Sequence, residues 1–263
     1  MTIAQRNNTI LVIIGILAVI LIFLALAPYI LYKSGEIESS YLAYKKLFTS
    51  KNYIFGILLI LYSIVSLFVL RMYFYKTNST EIFFFMIFLA SLVFESSRSL
   101  ILVFQEFNAS FVYIMFLSRT AYFSKMCGVF ALFLSSLASS DIGITKLNMP
   151  VIILFVLSFL FSSTIPLSDN VLENSYYMPG FFSYYLFTLL FIEFLTILIF
   201  VINFFQKREI EYFYLALSII LLVIGREITF YMSSFEYFSA GMVFMIGGTI
   251  LFSNKMHEIY KWY

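Results

Sequence analysis

The chain has few of the residues that most catalytic and structural chemistries require. It holds one cysteine, Cys127, in 263 residues. That excludes an internal disulfide framework and any paired-cysteine metal or redox motif. It holds one histidine, His257, which excludes a bis-histidine haem site and a HExxH zinc site. Charged residues make up only 11% of the chain, against about 25% in a soluble domain, so water cannot be its main solvent. The net charge of +2 is too small for a nucleic-acid footprint. No Gly-x-Ser-x-Gly elbow, intramembrane histidine or aspartate pair is present, which points away from an enzyme. No residue set calls for a cofactor.

What remains is apolar: 62% of residues are hydrophobic, with 34 phenylalanines and 20 tyrosines suited to lipid contact and interfacial belts. At about 20 apolar residues per crossing, the pattern predicts an all-α, polytopic transmembrane bundle of eight helices. Its spans are 9–32, 53–75, 81–104, 111–138, 149–163, 180–205, 209–233 and 237–252. The organisation is then an N-terminal helix (1–32), an extracytoplasmic amphipathic segment (33–52), a seven-helix core (53–252) and a cytoplasmic tail (253–263). Ala25-Leu26-Ala27 resembles a signal-peptidase site, but Pro28 follows it, so the first helix is read as retained. The tail alternates Lys255, Glu258 and Lys261 with Met256, Ile259 and Tyr260, and can extend the last helix.

Basic residues set the orientation. With the N-terminus in the cytoplasm, Arg6, Arg71, Lys76, Lys146, Lys207, Arg208, Lys255 and Lys261 lie inside. Only Lys33, Lys45, Lys46 and Lys51 lie outside, all in the first loop. Both termini are therefore placed in the cytoplasm, in a membrane read as a bacterial inner membrane. Segment 165–179, with Asp169 and Glu173, is an acidic outer loop. Sliding the chain by 128 residues overlays Glu81 on Glu209, Phe85 on Phe213, Leu89 on Leu217 and Arg98 on Arg226. This is the pattern of a parallel repeat, as in some transporters.

Ionisable residues inside the spans carry the functional signal, because each costs about 2.5–3.5 kcal/mol at mid-bilayer on insertion scales. They are Glu95 and Arg98 in the third span, Arg119 and Lys125 in the fourth, Glu193 in the sixth, and Arg226 and Glu227 in the seventh. Glu95 and Arg98, three apart, share a helix face. Four cations and three anions under the outer surface can line an outward-open cavity whose surplus cation attracts an anionic ligand. They can equally fix helix order by pairing, Glu95 with Arg119 and Glu193 with Arg226. Lys125 is not a Schiff-base lysine of the retinal type, which belongs in the last helix. Gly128, Gly241, Gly247 and Gly248 permit close helix approach. Met242 and Met245 read as packing residues, Cys127 as an inert buried thiol, and His257 as solvated. The sequons at Asn78 and Asn108 sit in short loops and are discounted.

One resemblance joins these features. Met178-Pro179-Gly180 precedes a long aromatic helix, followed by Gln206-Lys207-Arg208-Glu209 and another helix. Upstream lie Glu95, then Arg119, Gly128-Val129 and Phe133-Leu134. This order resembles the seven-helix N-terminal sensor modules of bacterial histidine kinases and diguanylate cyclases. The resemblance implies a membrane receptor joined to a cytoplasmic output domain. The sequence holds no such domain, so the expectation is a stand-alone sensor or scaffold acting on a membrane or cytoplasmic protein through its tail and inner loops. The alternative is a small-solute transporter built from parallel repeats. Against it, few glycines or prolines interrupt the spans.

Overall fold

The fold was read from a computed structural model, which describes residues 3–34, 50–77, 79–106, 110–140, 147–172 and 174–261. Most of the predicted outer segment 33–52, together with Lys146 and Glu173, lies outside the described residues. The order is α1 (Ile3–Ser34), α2 (Lys51–Tyr73), then a divided third span. That span comprises α3 (Thr80–Ser91), a 3₁₀ segment (Leu92–Ser96) and α4 (Ser97–Glu106). Next come α5 (Phe111–Ser139), α6 (Asn148–Thr164), the strands β1 (Leu167–Val171) and β2 (Tyr177–Pro179), α7 (Phe182–Lys207), α8 (Ile210–Tyr231) and α9 (Phe235–Tyr260). Among the described residues, seven spans are long and apolar enough to cross a membrane, and α6, with 17 residues, is a shorter apolar helix. The chain is a multi-pass membrane protein built as an all-α bundle.

Its outer faces explain the choice of solvent. Helix α1 buries a stripe at Ile10, Leu17 and Leu24, one residue every two turns, and exposes Val12, Val19 and Phe23. Helix α6 exposes Ile152, Val156 and Phe159, and α7 exposes Phe187, Phe191 and Phe194. Contiguous apolar faces of this extent are not tolerated on a water-soluble monomer. In lipid they cost nothing, because a helix satisfies its backbone internally except at its ends and at a break.

At one end of the bundle, cations close the helix C-termini, where unpaired carbonyls concentrate negative charge. Arg6 donates to the carbonyls of Phe74 and Thr77 at the end of α2, and Asn7 to that of Tyr75 at 2.9 Å. Lys207 donates to the Ser139 carbonyl at the end of α5, 2.9 Å away. Helix α9 continues unbroken into the predicted tail as far as Tyr260, whose hydroxyl donates to Glu81 Oε2 at 2.7 Å. Both ends of the described chain thus sit beside the α2–α3 turn, on the side rich in Lys and Arg.

Helices α8 and α9 form the tightest pair. A methyl group on Gly225 would stand 2.7 Å from the Gly241 carbonyl oxygen, and one on Gly248 would stand 2.9 Å from that of Ser218. The antiparallel register 225/241 and 218/248 makes a seam of small residues along which the two backbones touch. Gly247 faces open space and takes no part in the seam. The sequence reading grouped it with Gly241 and Gly248 and did not include Gly225.

Candidate functional site

The site begins at the break in the third span. Residues 91–99 read Ser-Leu-Val-Phe-Glu-Ser-Ser-Arg-Ser, with neither glycine nor proline. The serines turn back on their own helix: Ser91 Oγ donates to the Phe88 carbonyl at 2.7 Å and Ser96 Oγ to that of Val93 at 2.6 Å. Such back-bonding competes with the regular ladder and bends helices, and the tighter 3₁₀ turn follows. Carbonyls freed at membrane depth must find donors. Ser63 of α2 serves Leu89, Ser124 of α5 serves Ser91, and the Tyr176 hydroxyl serves Glu95. On the α2 side, Ser99 Oγ donates to the Tyr53 carbonyl at 3.0 Å. Gly56 lets the helices meet there, because a methyl at that position would lie 2.0 Å from Ser99 Oγ. The sequence reading took the spans as uninterrupted. The break was missed because serine, not glycine or proline, makes it.

The break presents Glu95 to α8. Arg226 Nε and Nη2 both donate to Glu95 Oε1, at 2.9 and 2.6 Å, and Nη2 also reaches the Ser124 carbonyl at 3.0 Å. Both side chains are buried. Gly128 makes the room, since a methyl there would lie 2.4 Å from Arg226 Nη1. Arg98 also reaches α8. Its Nη1 donates to the Thr229 carbonyl at 3.1 Å and its Nε to that of Glu95 at 3.3 Å. A second pair lies beside the first: Lys125 Nζ sits 2.8 Å from Glu227 Oε2, over the rings of Phe230 and Tyr231 at 4.2 and 4.1 Å. Glu193 on α7 is buried, and its Oε2 meets no donor among the described residues.

The hairpin β1–β2 closes the other end of the bundle. Segment 165–179, read from sequence as a loop, pairs Leu167 with Pro179 and Val171 with Tyr177. Its turn drives Tyr176, fully buried, down to the break, where the hydroxyl also accepts from the Arg98 amide at 3.2 Å. Desolvation raises the pKa of that phenol, which keeps it protonated as the donor to Glu95. Asn174 donates to the Phe230 carbonyl at 2.6 Å, and Tyr122 to that of Tyr177 at 2.7 Å. Ser175 holds the turn with φ 72°, a left-handed conformation unusual for serine, and accepts from Asn52 at 3.0 Å.

Six of the seven predicted site residues therefore gather around α5 and α8, with corrections. The pairs are Glu95–Arg226 and Glu227–Lys125, not Glu95–Arg119 and Glu193–Arg226. Arg119 stands apart, in a crevice of about 390 Å³ bounded by Phe94, Phe116, Phe159 and Ser162. Without it the cluster holds three cations and three anions, so the surplus that favoured an anionic ligand disappears. Glu95, Arg98, Lys125 and Arg226 are fully buried beside Tyr176, while Glu227 keeps some exposure. The 128-residue repeat does not extend to this geometry, because α8 is continuous where the third span breaks. Sequence reasoning missed Tyr176, Ser124, Tyr185 and Tyr231. The Tyr176-Tyr177 pair in a loop without Lys or Arg was the one available signal for Tyr176. Among the described residues, no group of three or more His, Cys, Asp or Glu side chains is placed to hold a metal. Comparison with protein-family models, curated proteins and solved structures found no match.

Proposed function

We propose that this multi-pass membrane protein is a receptor-like sensor module, with both termini in the cytoplasm of a bacterial inner membrane. One observation carries the reading: the Tyr176 hydroxyl, on an element outside the helices, bonds the backbone of the break that positions Glu95 and Arg98. A contiguous path leaves that point. Glu95 holds Arg226 on α8, α8 is seamed to α9 by glycines, and α9 ends in Tyr260 bonded to Glu81. Displacement of the hairpin would reach the tail through rigid, packed elements, as a coupling route requires. The tail then serves a membrane or cytoplasmic protein partner.

Hydrogen–deuterium exchange in nanodiscs tests this with Tyr176→Phe. Faster exchange is expected both in the hairpin and in the 254–261 end of α9. Release of the hairpin with the tail unchanged sinks the receptor reading.

A transporter is the second reading, favoured by the discontinuous third helix that carries charged groups into the core. It requires alternating access. A single cysteine at Ser124 would then react with an impermeant maleimide from each side of the membrane in turn, whereas the receptor reading expects no labelling from the cytoplasmic side.

A further inference from the structure

Among the described residues, Arg119 on α5 is the mid-span cation that nothing in the protein holds. Arg98 and Arg226 each have an unmet nitrogen, but both are anchored through their other nitrogens. Lys125 is paired with Glu227. Arg71, in the last turn of α2, lies over the Tyr75 ring. Arg119 belongs to none of the described ion pairs, and its Nε is buried without an acceptor. Such a donor is costly to leave unmet, so its partner must come from outside the chain.

The crevice around it shows the partner's chemistry. Its volume of about 390 Å³ falls within the range of about 300–1,000 Å³ typical of ligand pockets. Phe94 of the 3₁₀ segment, Phe116 and Phe123 of α5 and Phe159 of α6 form its walls. Phe94, Phe116 and Phe159 are exposed, and no other residue of the charged cluster lines the space. The crevice therefore opens sideways onto lipid. Ser162 and Ser163 line it in the last turn of α6, just before the hairpin, which places it near the headgroups on the hairpin side. Arg119 lies about 12 Å along α5 from its start at 1.5 Å per residue, within headgroup reach of a side chain that snorkels.

An acidic headgroup on an apolar tail fits this lining. The guanidinium takes a phosphate, and the phenylalanines take a chain. Hydroxyls refine the choice. Thr120 donates to the Phe116 carbonyl at 2.9 Å, Ser162 to that of Phe159 at 3.1 Å and Ser163 to that of Leu160 at 3.1 Å. With their protons engaged, these oxygens offer only lone pairs, which suit a headgroup that carries hydroxyls of its own. A choline headgroup brings no donor, and its cation would stand beside Arg119. We infer that the crevice between α5 and α6 binds phosphatidylglycerol, an acidic and hydroxyl-bearing phospholipid, from the leaflet on the hairpin side. The groove between α2 and α9 is larger, about 550 Å³, but no charged side chain lines it, so it can take chains without choosing among headgroups. The site requires neither the receptor nor the transporter reading.

Native mass spectrometry of the full chain tests it, with the protein delipidated in detergent and titrated with palmitoyl-oleoyl phosphatidylglycerol or the matching phosphatidylcholine. One phosphatidylglycerol adduct is expected to form about tenfold more tightly than the phosphatidylcholine adduct, the worth of one charge-assisted contact. Arg119→Gln should remove that preference. Thr120→Trp, which fills the crevice without touching the charge, should lose the selective adduct. Inorganic phosphate should leave the adduct in place; displacement would make the ligand a free anion and overturn the lipid assignment. Equal affinity for the two lipids in the wild type overturns the site, as does an undiminished preference in either variant. If Arg119→Gln fails to fold, Thr120→Trp and the wild-type comparison still decide.

Discussion

Arginine in this bundle has three fates, and each follows from what the side chain meets. Arg226 meets a buried carboxylate, Arg98 meets carbonyls, and Arg119 meets a phenylalanine-lined crevice. Removing one partner of a buried ion pair strands the other charge, at about 3–5 kcal/mol. Arg226→Gln is therefore expected to lower stability by about that much in SDS unfolding, and Glu95→Gln in the same chain to recover part of the loss by removing the stranded charge. Arg119→Gln breaks no pair in the structure and should cost less than about 1 kcal/mol. Equal losses for Arg119 and Arg226 would contradict the arrangement. The identities of the intramembrane charges were legible in the sequence because each is conspicuous against apolar neighbours. Their pairing was not, because Glu95 lies 131 residues from Arg226 and no local periodicity encodes that meeting. The depth match that included Arg119 read position along the helix and was silent about direction around it.

Helices were legible for the opposite reason: long apolar runs leave the backbone no alternative in lipid. The short α6 and the continuation of α9 past the apolar run show how little end residues weigh once a helix is formed. The interruption at Leu92–Ser96 escaped notice because serine breaks a span only when neighbouring elements supply hydroxyls that donate to the freed carbonyls, which is tertiary information. The α8–α9 seam was half legible: glycines marked α9, but which of them face α8 depends on register. Gly225→Ala forces backbone against backbone and is expected to cost about 1–3 kcal/mol, as overpacking does. Gly247→Ala, with open space around it, should stay within about 0.5 kcal/mol. Comparable losses at the two positions in the same unfolding assay would rule out the seam.

For the molecule as a whole, the bundle of apolar helices and the segregation of Lys and Arg to one end were legible in composition, and the structure gathers Arg6, Lys207 and the end of α9 at one end. The near-absence of cysteine makes this checkable. Cys127 is free and buried, so single cysteines introduced elsewhere report alone. Cysteines at Gln5 and Lys261 should react with an impermeant maleimide only after the cytoplasmic face is opened, while one at Val171 in the hairpin should react in intact cells. Labelling of Val171 and Lys261 from the same side would overturn the topology. What composition could not show is that segment 165–179 folds back as a hairpin over the break, because a two-stranded hairpin depends on contacts with helices far away in the sequence. The Glu95–Arg226 bond also bears on how the protein is made. Glu95 enters the bilayer with the third helix, well before the ribosome reaches Arg226, so the nascent chain must shelter an unmatched acid until α8 arrives. Helices α8 and α9, joined by only Met232, Ser233 and Ser234, are built to enter together and end that exposure. A chain stopped after Lys207 would retain the acid without its base, a feature by which membrane quality control could recognise an unfinished molecule.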